Sequence, residues 1–391
     1  MNSSFKYLSG FSKICIDIRL FLRVVILSLT HFGITKGIKE LNQYFKNKAN
    51  LFNTKVNRYV KIGKLIYAAP DLPPVNSTDF IKSVLKDITY INHKINPGFL
   101  FVIFCISSRC PYKCNYCYNS DMHSDKESLS LEQIITTIYQ LKSMEVKNIY
   151  LSGGEPMTRY DDILIILNEF KDSNINFWLL TTGWQMTENK ISDLKKLGLK
   201  GIMVSFDSYE QEYIHSVKKN KSSYDLALNT IKWSSQYGLI TVIDCVLNKT
   251  LLDQEKFNKL IHKISEAGGQ FINCYTPKNI KNKISDPDMM FNISDFNLLG
   301  KLIDANHKEK KNVPVAYSPD LWESVRGCTG GKLFMYIDPS GNIRKCPFSE
   351  EIFGNISTND LKNIISKINN DKKPNLCQTV EYLQKYYLKD H

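Results

Sequence analysis

The chain has 391 residues, 43% hydrophobic and 23% charged, with 51 Lys and Arg against 39 Asp and Glu. That length accommodates more than one domain with a sizeable core, and the composition excludes collagen-like, mucin-like and low-complexity chains. The net charge of +12 is concentrated: residues 1–97 carry 15 basic and 5 acidic side chains, whereas residues 98–391 carry 36 and 34, so the nearly neutral body argues against a nucleic-acid partner.

In chain order, residues 1–97 read as a basic, mainly helical extension that closes in the turn Pro70-Asp71-Leu72-Pro73-Pro74, with only Lys61–Tyr67 strand-like. Residues 11–39 join a strongly apolar run to Lys13, Arg19, Arg23, Lys36 and Lys39. Three readings fit: a helix packed on the rest of the chain, an interfacial helix in peripheral contact with the anionic inner face of a membrane, or a recruitment arm for an acidic partner. The longest apolar stretch, Leu20 to Ile34, contains Arg23 and no small-residue cleavage site. Neither a spanning helix, which needs roughly 18 apolar residues, nor a signal peptide is expected.

From residue 98 the texture changes. Six short apolar or β-branched runs, 99–106, 148–152, 176–181, 201–206, 239–247 and 270–275, alternate with helix-periodic stretches at 131–144, 161–172, 189–197, 223–237 and 252–267. Six β-α repeats predict an α/β fold over residues 98–310, with a parallel sheet curled into a partial (β/α)6 barrel of the TIM type. Chemistry in such folds sits at the C-terminal ends of the strands. Residues 311–391 read as a separate small unit, in which 333–338 and 342–346 flank the hairpin turn Pro339-Ser340-Gly341 and a helix follows at 360–368.

Ten cysteines in a chain this long are too sparse for a disulfide scaffold, and their clustering suggests reduced, metal-binding thiols in the cytoplasm. Cys110-Pro111-Tyr112-Lys113-Cys114-Asn115-Tyr116-Cys117 follows the first strand. Three thiolates can hold three corners of a 4Fe–4S cubane and leave the fourth iron open. A structural zinc loop, the alternative, favours paired C-x2-C ligands and a closed set of four. The second strand ends in Gly153-Gly154-Glu155-Pro156, where the glycines permit close backbone approach and carbonyls plus a carboxylate suit an ammonium group.

With the triad after strand one and Gly-Gly-Glu-Pro after strand two, residues 98–280 resemble the radical S-adenosylmethionine (SAM) enzymes. The resemblance implies that Cys110, Cys114 and Cys117 ligate a 4Fe–4S cluster whose open iron is chelated by SAM. It also implies that Tyr116 lies near the adenine and that Gly153, Gly154, Glu155 and Pro156 receive the methionine amino group. Val204-Ser205-Phe206-Asp207 resembles the family's strand-four pattern, which implies that Ser205 faces SAM; the alternative is that Ser205 and Thr182 are ordinary strand-end turn residues. Thr182 stands where many members have Asn, which puts hydrogen bonding there in doubt. The implied chemistry is reductive cleavage of SAM to a 5′-deoxyadenosyl radical that abstracts a substrate hydrogen, fed by a flavodoxin or ferredoxin. A non-catalytic iron–sulfur carrier or scaffold is the alternative, though a carrier has no need of SAM-binding strand ends.

Cys328, Gly341 and Cys346 form a C-x12-G-x4-C hairpin, and Gly354-Asn355-Ile356 follows. This resembles the opening of the SPASM and twitch extensions, and the absence of the dense SPASM cysteine run favours the twitch type. The resemblance implies a second, auxiliary 4Fe–4S cluster on Cys328, Cys346 and Cys377, with a fourth ligand unassigned. Cys105, Cys245 and Cys274 lie within strands and read as core residues, and Cys15 as inert. Such enzymes modify peptides, proteins or small molecules. Peptide-modifying members often carry a leader-binding winged-helix unit with a short three-stranded sheet, and residues 1–97 show no convincing version of it. A peptide or protein substrate is ranked first, and a lipid or small molecule at the membrane surface second.

Overall fold

The computed structural model of the chain describes residues 5–49, 58–70, 72–279, 289–309, 312–316 and 327–371, together with Pro319, Glu323 and Leu383. The N-terminal region departs from its sequence reading. Strand β1 (Phe5–Leu8) is followed by helices α1 (Phe11–Phe32) and α2 (Ile34–Ala49), then strands β2 (Tyr59–Ile62) and β3 (Leu65–Tyr67) and helix α3 (Thr78–His93). The strands form an antiparallel sheet in the order β1-β2-β3, so a three-stranded sheet with helices is present where none was expected. β1 escaped notice because four residues set no period, and its partner lies far along the chain, Phe5 facing Ile62 and Leu8 facing Tyr59.

The six barrel strands fall within two residues of their predicted limits: β4 (Phe101–Ser107), β5 (Asn148–Gly153), β6 (Asn176–Thr181), β7 (Gly201–Ser205), β8 (Ile240–Val246) and β9 (Phe271–Tyr275). Helices α4 (Leu131–Ser143), α5 (Tyr160–Glu169), α6 (Glu188–Lys196), α8 (Ser223–Gln236) and α9 (Gln254–Ala267) match the periodic stretches, while α7 (Gln211–Lys218) was not foreseen. Local signals explain several limits. Ser130 and Gln133 make a reciprocal capping box at the start of α4, and Asp253 caps α9, which ends at Gly268 in the left-handed region.

Helix α10 (Ile293–Lys308) leads to β10 (Val315–Ala316), and the chain continues through β11 (Phe334–Ile337), β12 (Asn342–Arg344), β13 (Gly354–Asn355) and α11 (Leu361–Asn370). One ten-stranded sheet runs β10-β9-β8-β7-β6-β5-β4-β11-β12-β13. The ladders from β10 to β11 are parallel, and β12 and β13 add antiparallel edges. The C-terminal hairpin is therefore formed as predicted, but it extends the barrel sheet instead of standing apart from it.

Side chains alternate across this sheet. Outward positions such as Val102, Ile149, Leu179, Val204, Ile243 and Ile272 join the helices in the main core. Inward positions Tyr150, Trp178, Met203, Val242 and Phe271 form a second core with Val60 and Tyr67 of the N-terminal sheet. The small sheet thus closes the floor of the partial barrel. Arg58 secures it by donating to the Asn306 carbonyl at 2.9 Å and the Asn306 side chain at 3.0 Å at the end of α10. Among the described residues no helix is long and apolar enough to cross a membrane.

Candidate active site

Inward-facing positions are apolar at the floor and polar one step nearer the C-terminal ends: Tyr150 gives way to Ser152, Met203 to Ser205, Val242 to Asp244, and Phe271 to Asn273. The cysteine loop opens at this polar end, directly after β4. Its base is held from two sides. Glu127 accepts from the Ser108 N–H at 2.7 Å, the Ser107 hydroxyl at 2.8 Å and Arg109 Nε at 2.7 Å. On the other side the Gly154 N–H donates to the Ser107 carbonyl and the Glu155 N–H to the Arg109 carbonyl, both at 2.8 Å. A Cβ on Gly154 would lie 2.4 Å from that Arg109 oxygen and 2.9 Å from Cys110 Cβ, and one on Gly153 would lie 2.5 Å from the Ser107 oxygen. The glycine pair is thereby explained by the protein itself: only glycines let the β5 turn pack against the cysteine loop.

Glu155, expected to take part in receiving a ligand's ammonium group, is held here by partners within the protein. Glu155 is fully buried. Its Oε1 accepts from Thr181 Oγ1 at 2.7 Å and the Met157 N–H at 3.1 Å, while Oε2 accepts from the Thr182 N–H at 2.8 Å and Thr182 Oγ1 at 2.5 Å. Burial raises its pKa, and these hydrogen bonds oppose the rise. With four donors the carboxylate is saturated, and its work is to pin the β5 turn to the end of β6. Thr182 supplies two of those donors, so the replacement of Asn leaves no gap in hydrogen bonding at that position.

Ser205 and Tyr116 meet at a second cluster. The Lys218 ammonium, brought by α7, donates to the Ser205 carbonyl at 2.7 Å and to Ser205 Oγ at 3.1 Å. It lies 3.8 Å from Asp207 Oδ2, and both side chains are wholly buried. Asp207 also accepts from the Tyr116 hydroxyl at 2.5 Å and the Val246 N–H at 2.9 Å. Tyr116 thus ties the cysteine loop to the end of β7. Lys218 was missed with its helix, and no local sequence signal marks it.

Burial pushes Cys110 and Cys114 up to about 12; both sense Cys117 as a like charge, while Lys218 acts in the opposite direction on each. Three thiols close enough to influence one another, with Cys110 and Cys114 held protonated by burial, are a donor set that would exchange protons for iron. Among the described residues no three His, Cys, Asp or Glu side chains converge on one ion; a cubane instead takes one thiolate at each of three iron corners. The residues present fit such a cluster. In the C-terminal unit Gly330 lies between Cys328 and Cys346: a Cβ there would stand 3.5 Å from Cys328 Sγ and 3.2 Å from Cys346 Cβ. Tyr90 of α3 anchors this segment by donating to the Gly327 and Cys328 carbonyls at 3.1 and 3.0 Å. Cys377 lies outside the described residues.

Further residues complete the cleft. Asn119, two positions past the triad, donates to the Gly153 carbonyl at 3.4 Å and accepts from the Tyr336 hydroxyl of β11 at 2.7 Å. Cys105, a buried strand residue as expected, donates to that same hydroxyl at 3.2 Å. Asp244 faces the lumen, half-buried, with its Oδ1 accepting from Asn273 Nδ2 at 2.9 Å. Burial pushes its carboxyl up to about 7, the Asn273 hydrogen bond opposes this, and the charge of Asp207 reinforces it. A lone Asp inside the apolar run 239–247 was the available signal for it. Tyr336 had none, because only a long-range strand pairing brings it here.

Comparison with known proteins agrees with this geometry. The Radical SAM superfamily profile matches residues 104–262. The chain carries a radical SAM domain. The PqqA peptide cyclase of Bradyrhizobium diazoefficiens is 23% identical over 265 residues, covering 65% of this chain and 68% of that protein. Among solved structures, Streptococcus suis SuiB bound to precursor peptide SuiA superposes with a TM-score of 0.59 at 16% identity, over 93% of this chain and 83% of SuiB. The anSMEcpe structure with bound AdoMet gives a TM-score of 0.54 at 18% identity, over 68% of this chain and 80% of that one. The chain is thus an enzyme of the radical SAM class, with an α/β fold matching the partial barrels of those structures.

Proposed function

We propose that this radical SAM enzyme modifies a peptide, holding a 4Fe–4S cluster on Cys110, Cys114 and Cys117 and SAM against the strand ends beside it. When bound, the cluster and SAM supply reductive sulfonium cleavage and hydrogen-atom abstraction. Backbone groups of Gly153 to Pro156 bind the methionine end, Ser205 and Tyr116 flank the cofactor, and Glu155 and Thr182 hold the strand ends in register. Cys328 and Cys346, with Cys377, hold an auxiliary 4Fe–4S cluster, and a flavodoxin or ferredoxin delivers the electron. The chain works in the cytoplasm, where thiols stay reduced.

The observation that carries the peptide reading is the N-terminal three-stranded sheet joined to the barrel floor. Leader-binding winged-helix units carry a short three-stranded sheet, and the antiparallel β1-β2-β3 sheet beside α1 to α3 supports that reading. The likeness to SuiB, crystallised with a precursor peptide, spans this unit and the barrel together. The test is anaerobic reconstitution with iron and sulfide, followed by dithionite, SAM and short peptides encoded beside the gene. About eight irons per chain, 5′-deoxyadenosine, and a mass change in one peptide are expected. Iron binding without deoxyadenosine returns the chain to an electron carrier, and deoxyadenosine without any peptide change moves the substrate to another class.

A further inference from the structure

We infer that α1 and α2 dock this enzyme on an anionic lipid surface, a property separate from its radical chemistry. On α1, Phe11, Ile14, Ile18, Leu22 and Ile26 recur at helical spacing, and their exposure runs from 53% for Ile14 to 81% for Phe11. The stripe spans roughly 22 Å at 1.5 Å per residue. It continues onto α2 through Ile34, Ile38 and Phe45, all exposed, and the Phe21 and Phe45 rings join the two helices with centroids 6.0 Å apart. Contiguous apolar surface of this extent marks an interaction site.

Charge selects the partner. Both acidic residues in the described side chains of α1 and α2 are engaged with neighbours: Asp17 pairs with Lys13 and accepts from the Tyr59 hydroxyl at 2.6 Å, and Glu40 is buried against Asn92 and His93. Arg19, Lys36, Lys39 and Lys46 stand exposed, so the fully exposed charges beside the apolar stripe are all positive. An open apolar depression runs along Cys15, Ile18, Leu22 and Ile26 with Arg19 beside it, while the Arg23 guanidinium is held by the Val75 and Ser77 carbonyls at 3.0 Å each. An amphipathic helix with a cationic border is the chemistry of attachment to anionic bilayers. The charges within α1 keep it lying on the surface, since no described helix is apolar enough to cross.

The test is flotation of the full chain with vesicles of phosphatidylcholine alone or mixed with phosphatidylglycerol. Binding to the mixed vesicles alone, weakened by salt, is expected. An Arg19→Ala/Lys36→Ala variant should bind about thirtyfold more weakly, at about 1 kcal/mol per basic residue. An Ile18→Asp/Leu22→Asp variant should not bind while keeping the wild-type melting temperature, because both positions are exposed. No binding, or equal binding to neutral vesicles, overturns the inference. So does a concentration-dependent dimer that the Ile18→Asp/Leu22→Asp variant abolishes, which would give the face to a second copy.

Discussion

Gly154 shows how tightly the cysteine loop is built. An added methyl group would press on the Arg109 carbonyl and on Cys110, so Gly154→Ala must push the loop away from β5. The variant should fold yet retain well under half the iron of wild type after reconstitution, read by iron analysis. Asp244 makes a different prediction. Its folded pKa of about 7 stands above the ordinary 3.8, so the folded state keeps a proton that the unfolded chain releases. The stability this group contributes is complete below about pH 4 and is lost as pH rises towards 7, at about 1.4 kcal/mol for each pH unit crossed. Asp244→Asn escapes that loss. Its melting temperature relative to wild type should climb between pH 4 and 7 and then level off.

At the scale of elements, the buried pair joining α7 to β7 sets the next expectation. Lys218→Met leaves the Asp207 carboxylate buried without its cation, which costs about 3–5 kcal/mol. Adding Asp207→Asn removes the stranded charge, so the double variant should recover much of the loss in urea unfolding. These elements also divide what the sequence reveals from what it hides. The six barrel strands were legible because each is an apolar run bounded by turns, and the cysteine triad because three thiols in eight residues have few other uses. Helix α7 was not, being only eight residues long and set between β7 and α8 with no periodic stretch of its own. Strand β1 was hidden behind the far stronger period of α1. Within the site, Glu155 was visible as a residue but its protein partners were not, since saturation by Thr181, Thr182 and Met157 depends on strands meeting in space.

For the molecule as a whole, the N-terminal region is part of the barrel's core. Val60 and Tyr67 pack on Tyr150, Trp178 and Met203, and Gly201 is needed to make room for the Trp178 ring, 2.4 Å from where its Cβ would stand. A chain lacking residues 1–97 should expose this floor and aggregate, as checked by light scattering. Tyr67→Ala in the intact chain should cost about 3–5 kcal/mol, as a large aromatic lost from a core does.

The pairing of β11 with β4 carries a consequence for synthesis. Phe334 aligns with Phe101, and Tyr336 reaches Asn119 beside the triad. Contacts this distant in sequence close late, because the intervening chain must first be ordered. A ribosome that has just released Cys117 has more than two hundred residues still to add before Tyr336 can brace the cysteine loop. The cradle proposed for the cluster is therefore finished only after that later stretch has been made and β11 has docked on β4.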